Sequence, residues 1–291
     1  MFATIISKLS KGGFKKMKIY EVENHEPSIL PDGVDLELVW SDEFDGTELD
    51  TTKWDYRMSM MGTRWPAWTD KGVQLDGNSN AVFKVIEEDG RPVSSQLQTG
   101  YNFMDEPVQK TKFNDEHLQW QIGKLKESKY TKKYGYFECR CKMQQKDGWW
   151  SAFWIQSPTI GASLDPGHTG VEIDVMECFE PGLLQYHNVF TGGYGLDMQQ
   201  IKVGRYDMMD NPDDFHRYGV LWDENGYTFY VDGVEDGHVD KNVSHIPEFI
   251  LISTEVKGYR YEDHQPVKEA YDLIGNDEFV VDYVRVFDIK K

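Results

Sequence analysis

Residues 170–180 read G-V-E-I-D-V-M-E-C-F-E. Three acids, Glu172, Asp174 and Glu177, stand among residues that otherwise favour burial. Side chains of a strand alternate between its two faces, so Glu172 and Asp174 share one face while Ile173 and Val175 share the other. Strict alternation puts Met176, not Glu177, beside the first two acids. A single β-bulge between Asp174 and Glu177 restores the parity, because one extra residue shifts everything after it to the opposite face. The stretch therefore predicts a bulged strand with a row of carboxylates on one side and Ile173, Val175 and Cys178 in the core behind it.

Three neighbouring carboxylates repel one another and raise at least one pKa. Stability gains nothing from such an arrangement, but chemistry does: one acid stays ionised while another holds a proton. Retaining glycoside hydrolysis needs such a pair, with carboxyl groups roughly 5–5.5 Å apart. Two other readings of E-x-D-x-x-E stay open at this point, a solvated acidic face and a calcium-binding acidic cluster.

The rest of the chain reads as short strands parted by Gly, Asn, Asp and Pro. Residues 134–143, Y-G-Y-F-E-C-R-C-K-M, alternate, with Phe137, Cys139, Cys141 and Met143 on one face and Glu138, Arg140 and Lys142 on the other, the period of a half-buried antiparallel strand. Asn225-Gly226 and Asp232-Gly233 punctuate β-rich runs as hairpin turns. Residues 280–287, V-V-D-Y-V-R-V-F, form a last strand. Many short strands with regular turns predict an all-β antiparallel sandwich. Its domain spans 31–291, behind an N-terminal extension over 1–30 that is expected to be disordered at least over its first sixteen residues. Residues 100–130 are polar and irregular, as in a long surface insertion.

With 31 basic and 50 acidic residues the formal charge is −19. Nucleic acid and anionic membrane are therefore excluded as natural partners. The three cysteines, Cys139, Cys141 and Cys178, form neither a disulfide framework nor a zinc pattern, and are expected reduced in the core. The apolar run at the N-terminus breaks at Lys8, too early for a signal sequence. As written, the chain reads as cytoplasmic, and as secreted if the start is incomplete. A monomer is expected.

The surroundings of the acids point to sugar. Residues 148–154 read G-W-W-S-A-F-W. Trp150 and Trp154 share a face and Trp149 faces away; indole faces stack on the C–H faces of sugars, and all three are candidate substrate-binding residues. Trp65, in R-W-P-A-W-T, is a candidate for an outer subsite wall, with packing under the loop as its alternative. His187, ten residues past Glu177, falls on the expected returning strand, within reach of Glu177 or a sugar hydroxyl.

Together these residues resemble family 16 of the glycoside hydrolases. E-I-D-V-M-E at 172–177 is similar to the motif of its bulge-containing branch. W-S-D-E-F-D-G at 40–46, Y-G-Y-F-E-C-R-C-K with W-W-S-A-F-W at 134–154, F-H-R-Y-G-V-L-W with Y-V-D-G at 215–233, and V-D-Y-V-R-V at 281–286 follow in the family's order. The resemblance implies a jelly-roll of two curved antiparallel sheets with a concave-face cleft. It implies endo-hydrolysis of a β-linked polysaccharide with retention, by double displacement. Glu172 would be the nucleophile, Glu177 the general acid/base and Asp174 the residue tuning the nucleophile, with Trp150, Trp154 and His187 lining the subsites. No cofactor is implied for catalysis. Many members hold a structural calcium, which would fall on Glu43 and Asp282; hard oxygen ligands suit that ion. Ser151 departs from the proline usual in the β-1,3-glucanase branch. The expected substrate is a β-1,3- or mixed-linkage glucan; the alternatives are a β-galactanase of the agarase or porphyranase kind and a non-catalytic lectin-like sandwich.

Overall fold

The computed structural model describes residues 18–105, 126–180, 184–206 and 214–290. The first seventeen residues, and 106–125 of the expected surface insertion, lie outside the described residues. Two antiparallel sheets face each other. The inner one has seven strands, in the order Gln199–Tyr206, Leu184–Thr191, Glu172–Glu180, Trp149–Gln156, Phe249–Val256, Gln96–Gln98 and Asp55–Tyr56. The outer one has eight and is centred on Gly135–Lys142 and the long last strand Glu278–Ile289, which also pairs with Leu36–Asp42. The all-β antiparallel sandwich expected from the pattern, and the jelly-roll of two facing sheets that the resemblance implies, are the fold observed.

Alternation builds the core between the sheets. Phe153, Ile155, Ile173 and Ile252 point inward from one sheet, and Phe137, Cys139, Val220, Val284 and Val286 from the other; all are fully buried in one cluster. Each such side chain contributes about 1.5–3 kcal/mol by leaving water. The three cysteines are free thiols within this core. Sequence predicted the two hairpin turns correctly: His216–Trp222, Tyr227–Val231 and Val234–Val239 form a meander through Asn225-Gly226 and Asp232-Gly233.

Part of the expected N-terminal extension is a structural element. Lys18–Val22 and His25–Leu30 pair as a hairpin, and Leu30 packs with Leu36, Tyr136 and Phe287 on the convex face. The polar side of Gly135–Lys142, which alternation would leave in water, is thereby covered. Glu138 is fully buried there and accepts hydrogen bonds from Tyr136 at 3.1 Å and Tyr283 at 2.8 Å. Burial pushes its carboxyl pKa up.

Glu43 and Asp282, the pair expected for calcium, also lie in this layer, and they do not fit that ion. Arg285, itself fully buried, donates from Nε to Glu43 Oε1 at 3.0 Å and from Nη2 to Oε2 at 2.7 Å. Its Nη1 reaches Glu26 O and Ser28 Oγ on the hairpin, and its guanidinium stacks 3.5 Å from the Tyr283 ring centroid. Asp282 accepts from Arg140 at 2.6 Å. Guanidinium groups already satisfy both carboxylates, and a divalent cation would have to enter beside fixed positive charge. Among the described residues, no cluster of three or more His, Cys, Asp or Glu side chains could hold a metal.

Removing one partner of a buried ion pair leaves an uncompensated charge, which costs about 3–5 kcal/mol. Arg285→Met is accordingly expected to lower unfolding stability by about that amount, measured by urea denaturation, and Arg285→Met combined with Glu43→Gln to recover part of the loss.

Candidate active site

The register of the acid strand Glu172–Glu180 places its three carboxylates. On one side Asp174 pairs with Asn188 and Glu177 with Tyr186, so two residues oppose one between these points. On the other side Trp154 pairs with Asp174, Phe153 with Met176 and Ala152 with Glu177. Val175 is the extra residue. Ile173, Val175, Met176 and Cys178 are all fully buried in the core, while Glu172, Asp174 and Glu177 line one cleft on the opposite, concave face. The parity shift expected from the sequence is therefore present at the expected position.

The bulge leaves the Val175 carbonyl out of the ladder, and His187 satisfies it. His187 Nδ1 donates to Val175 O at 2.6 Å, its Nε2 lies 3.2 Å from Asp236 Oδ2, and its ring stacks on Phe229. The side chain is fully enclosed behind the sheet. This corrects the expectation that His187 lines a subsite. It sits on the right strand but faces the core, and its neighbour Asn188 faces the acids.

The cleft has a volume of about 770 Å³, within the range of small-molecule and oligosaccharide sites. It crosses the inner sheet from Gln200 and Lys202 on the edge strand, over the acids, Trp150 and Trp154, to Ser253, Glu255 and Gln96. Trp150 and Trp154 line it as expected. Trp149 does not, which corrects the expectation that it binds substrate: it is fully buried and donates to Asp277 Oδ2 at 2.9 Å on the core side. Trp65 packs beside Trp68 at the rim and donates to Glu255 Oε1 at 3.3 Å, so it supports a cleft residue rather than forming the wall. Ser151, the departure from the usual proline, points into the core, where it donates to Gln144 Oε1 at 2.6 Å. That change leaves the cleft surface untouched.

Two guanidinium groups that the sequence did not single out flank the tryptophans. Arg57 lies between the rings of Trp68 and Trp154, 5.1 and 5.2 Å from their centroids, and is paired with Asp105 at 2.6 Å. Arg260 lies 5.3 Å from the Trp150 centroid and is held by Glu255, its Nε donating to Oε1 at 2.8 Å. Neither arginine stands in a periodic pattern; Arg57 belongs to an irregular segment and Arg260 to a loop, so only the fold brings them to the acids.

The acids differ in their surroundings. Glu172 Oε2 accepts from Gln156 Nε2 at 3.1 Å and from the Tyr194 hydroxyl. Burial raises its pKa, and these two donors together with the fields of Arg57 and Arg260 oppose that rise. Glu177 Oε2 accepts from Asn188 Nδ2 at 2.8 Å, and Asn188 is held in turn by Gln200 at 3.0 Å. Burial, then the charge of Glu172, pushes Glu177 up to about 7. Asp174, almost wholly buried, is pushed well up by burial and by the charges of Glu177 and Glu172. Of the two glutamates, the charge of Glu177 acts on Asp174 more strongly than that of Glu172. Burial and mutual repulsion raise the row of carboxyls, and the donors and guanidinium fields that favour a charged form gather at Glu172.

Residues 66–257 match the family described as Glycosyl hydrolases family 16. The chain is 30% identical over 207 residues to glucan endo-1,3-beta-glucosidase A1 of Niallia circulans, an alignment covering 68% of this chain and 28% of that protein. It is 27% identical over 270 residues to a beta-glucanase of Rhodothermus marinus, covering 86% and 85% respectively. In structure it is similar to the endo-beta-1,3-glucanase of Pyrococcus furiosus, with a TM-score of 0.62 at 22% identity, covering 90% of this chain and 98% of that one. The chain thus spans less than a third of the first of these relatives.

A group whose folded pKa is raised binds its proton more tightly folded than unfolded, so stability falls as pH rises between the two values. For Glu177 that window runs from the ordinary carboxylate range to about 7. Glu177→Gln should therefore match the parent near pH 4 and exceed it at pH 8 by about 1–3 kcal/mol, read from urea unfolding at each pH.

Proposed function

The chain belongs to glycosyl hydrolase family 16, and on that premise we propose that it is an endo-acting, retaining hydrolase of β-linked glucan with β-1,3 or mixed linkages. The observation that carries the reading is the bulge-aligned acid row beneath a groove that crosses the sheet. A long open groove binds a polysaccharide at internal positions.

In the first step an oxygen of Glu172 attacks the anomeric carbon and the glycosidic bond breaks. Glu177 gives its proton to the departing sugar oxygen. In the second step Glu177 takes a proton from water, the water oxygen displaces Glu172 from the anomeric carbon, and the original configuration returns. The division of roles follows from the surroundings. Glu172 has two donors and two guanidinium fields favouring its charged form. Glu177 is raised to about 7, near the ordinary working range for a general acid.

The charge of the groove supports a neutral sugar chain. Arg57 and Arg260 are each tied to a carboxylate, Asp105 and Glu255. The remaining charged lining consists of Lys202 and the acids Glu172, Asp174, Glu177 and Glu180. A sulfated galactan would meet an acidic surface there.

Incubation with laminarin, lichenan, agarose, porphyran and carrageenan, read by product sizing, tests the assignment. Oligosaccharide release from laminarin or lichenan is expected, with the β-anomer first seen by proton NMR. Release from the galactans alone would overturn the glucan reading. Glu172→Gln should lower turnover by at least about a thousandfold while polysaccharide retardation in affinity gels persists; a Glu172→Gln variant with parental rates would remove the nucleophile assignment.

A further inference from the structure

We propose that Tyr194 is a positioning residue for the nucleophile: its hydroxyl, carried over the cleft by the turn after Leu184–Thr191, holds Glu172 Oε2 and leaves Oε1 facing the sugar. The inference rests on the hydrolase reading above and adds to it a residue from outside the acid motif.

The turn that carries Tyr194 is built for one position. Gly192 and Gly193 have φ of +79° and +73°. A Cβ on Gly193 would lie 2.7 Å from the Cα of Gly161, and one on Gly192 would lie 2.7 Å from the carbonyl oxygen of Asp197. Backbone is therefore pressed on backbone, and only glycine admits that contact. The loop containing Gly161 thus fixes where the Tyr194 main chain sits, although its side chain is partly open to solvent. From there the ring reaches back to line the cleft.

The hydroxyl completes a three-residue contact. Gln156 Nε2 donates both to Glu172 Oε2 and to Tyr194 Oη, and Tyr194 donates onward to the same Oε2. Gln156 pairs directly with Glu172 across the two strands, so the amide is part of the sheet scaffold. Both donors fall on one carboxylate oxygen. Among the described residues Oε1 accepts no hydrogen bond, which makes it the oxygen available for bond formation.

The same contact serves both steps. During attack, a donor on Oε2 fixes the plane of the carboxylate. When water attacks the anomeric carbon and displaces Glu172, the C–O bond to Oε1 breaks, its electron pair returns to Glu172, and the charge spreads onto Oε2, where Tyr194 and Gln156 meet it. Burial and the charge of Glu172 keep the phenol protonated, hence a donor, far above neutral pH. The other groups that face Glu172 are Arg57 and Arg260, which favour its charge, and Asp174, Glu177 and Glu248, which oppose it.

The test uses the full chain labelled at the glutamate side-chain carboxyl with carbon-13. The Glu172 resonance is assigned by its loss in Glu172→Gln. In Tyr194→Phe the Glu172 midpoint is expected to move to higher pH, and the acid limb of kcat/KM with it. Turnover should fall about 10- to 100-fold, the worth of a hydrogen bond to a charged group, with KM changed less than about threefold. Gly193→Ala, which keeps the phenol but displaces it, should shift the midpoint in the same direction. An unmoved Glu172 midpoint in Tyr194→Phe would overturn the proposal, and so would a rise in KM alone, the mark of a simple subsite contact. If the parent releases nothing from any β-glucan, the function proposed above falls, while the midpoint still decides whether Tyr194 holds Glu172.

Discussion

The site depends on one extra residue in one strand. Val175 breaks the pairing between Asp174 and Glu177, so a segment with period two presents acids separated by two and then three positions on a single face. Without the bulge, Glu177 would turn into the core while Met176 and Cys178 turned out to the cleft. The bulge frees a backbone carbonyl, and a buried unpaired carbonyl costs about 1–3 kcal/mol. His187 answers that cost from the next strand. A histidine that looks like a ligand-binding residue therefore maintains the backbone geometry on which the carboxylates depend.

The acid row is electrostatically unfavourable, and the surrounding groups divide that penalty unequally. Glu172 is supported by Gln156, Tyr194 and two arginines; Glu177 has Asn188 and the field of Arg260 alone. Unequal support separates two like groups into an anion and an acid. Each arginine is in turn neutralised by its own carboxylate and seated over a tryptophan ring. Trp150 and Trp154 thereby have two tasks, to shape the groove and to seat the cations that set the charge of the nucleophile.

The convex face follows a related rule with a different outcome. Its carboxylates Glu43 and Asp282 are paired with Arg285 and Arg140 under the Lys18–Leu30 hairpin. Arg285 joins three separate pieces of chain, because its five donors can meet a carboxylate, a carbonyl and a hydroxyl at once. Arginine here supplies the cross-link that the resemblance had assigned to a metal ion.

The sequence alone determined the local features. Alternation in 134–143, the turn dipeptides and the spacing of Glu172, Asp174 and Glu177 establish antiparallel strands, a bulge and the face on which the acids stand, because side-chain parity is a property of consecutive residues. The same parity sets Trp149 on the opposite face from Trp150 and Trp154, and its burial in the core removes it from the candidate sugar contacts. The sequence could not place His187, since which of His187 and Asn188 faces the cleft is decided by the register of their strand against the acid strand, where Asn188 pairs with Asp174 and Tyr186 with Glu177. Nor could it find Arg57, Tyr194, Asn188 or Arg260, or show that a hairpin from residues 18–30 buries the outer face of Glu138. These residues lie in loops or on other strands and act through contacts made across long stretches of chain, whose geometry exists only once the sheets have packed.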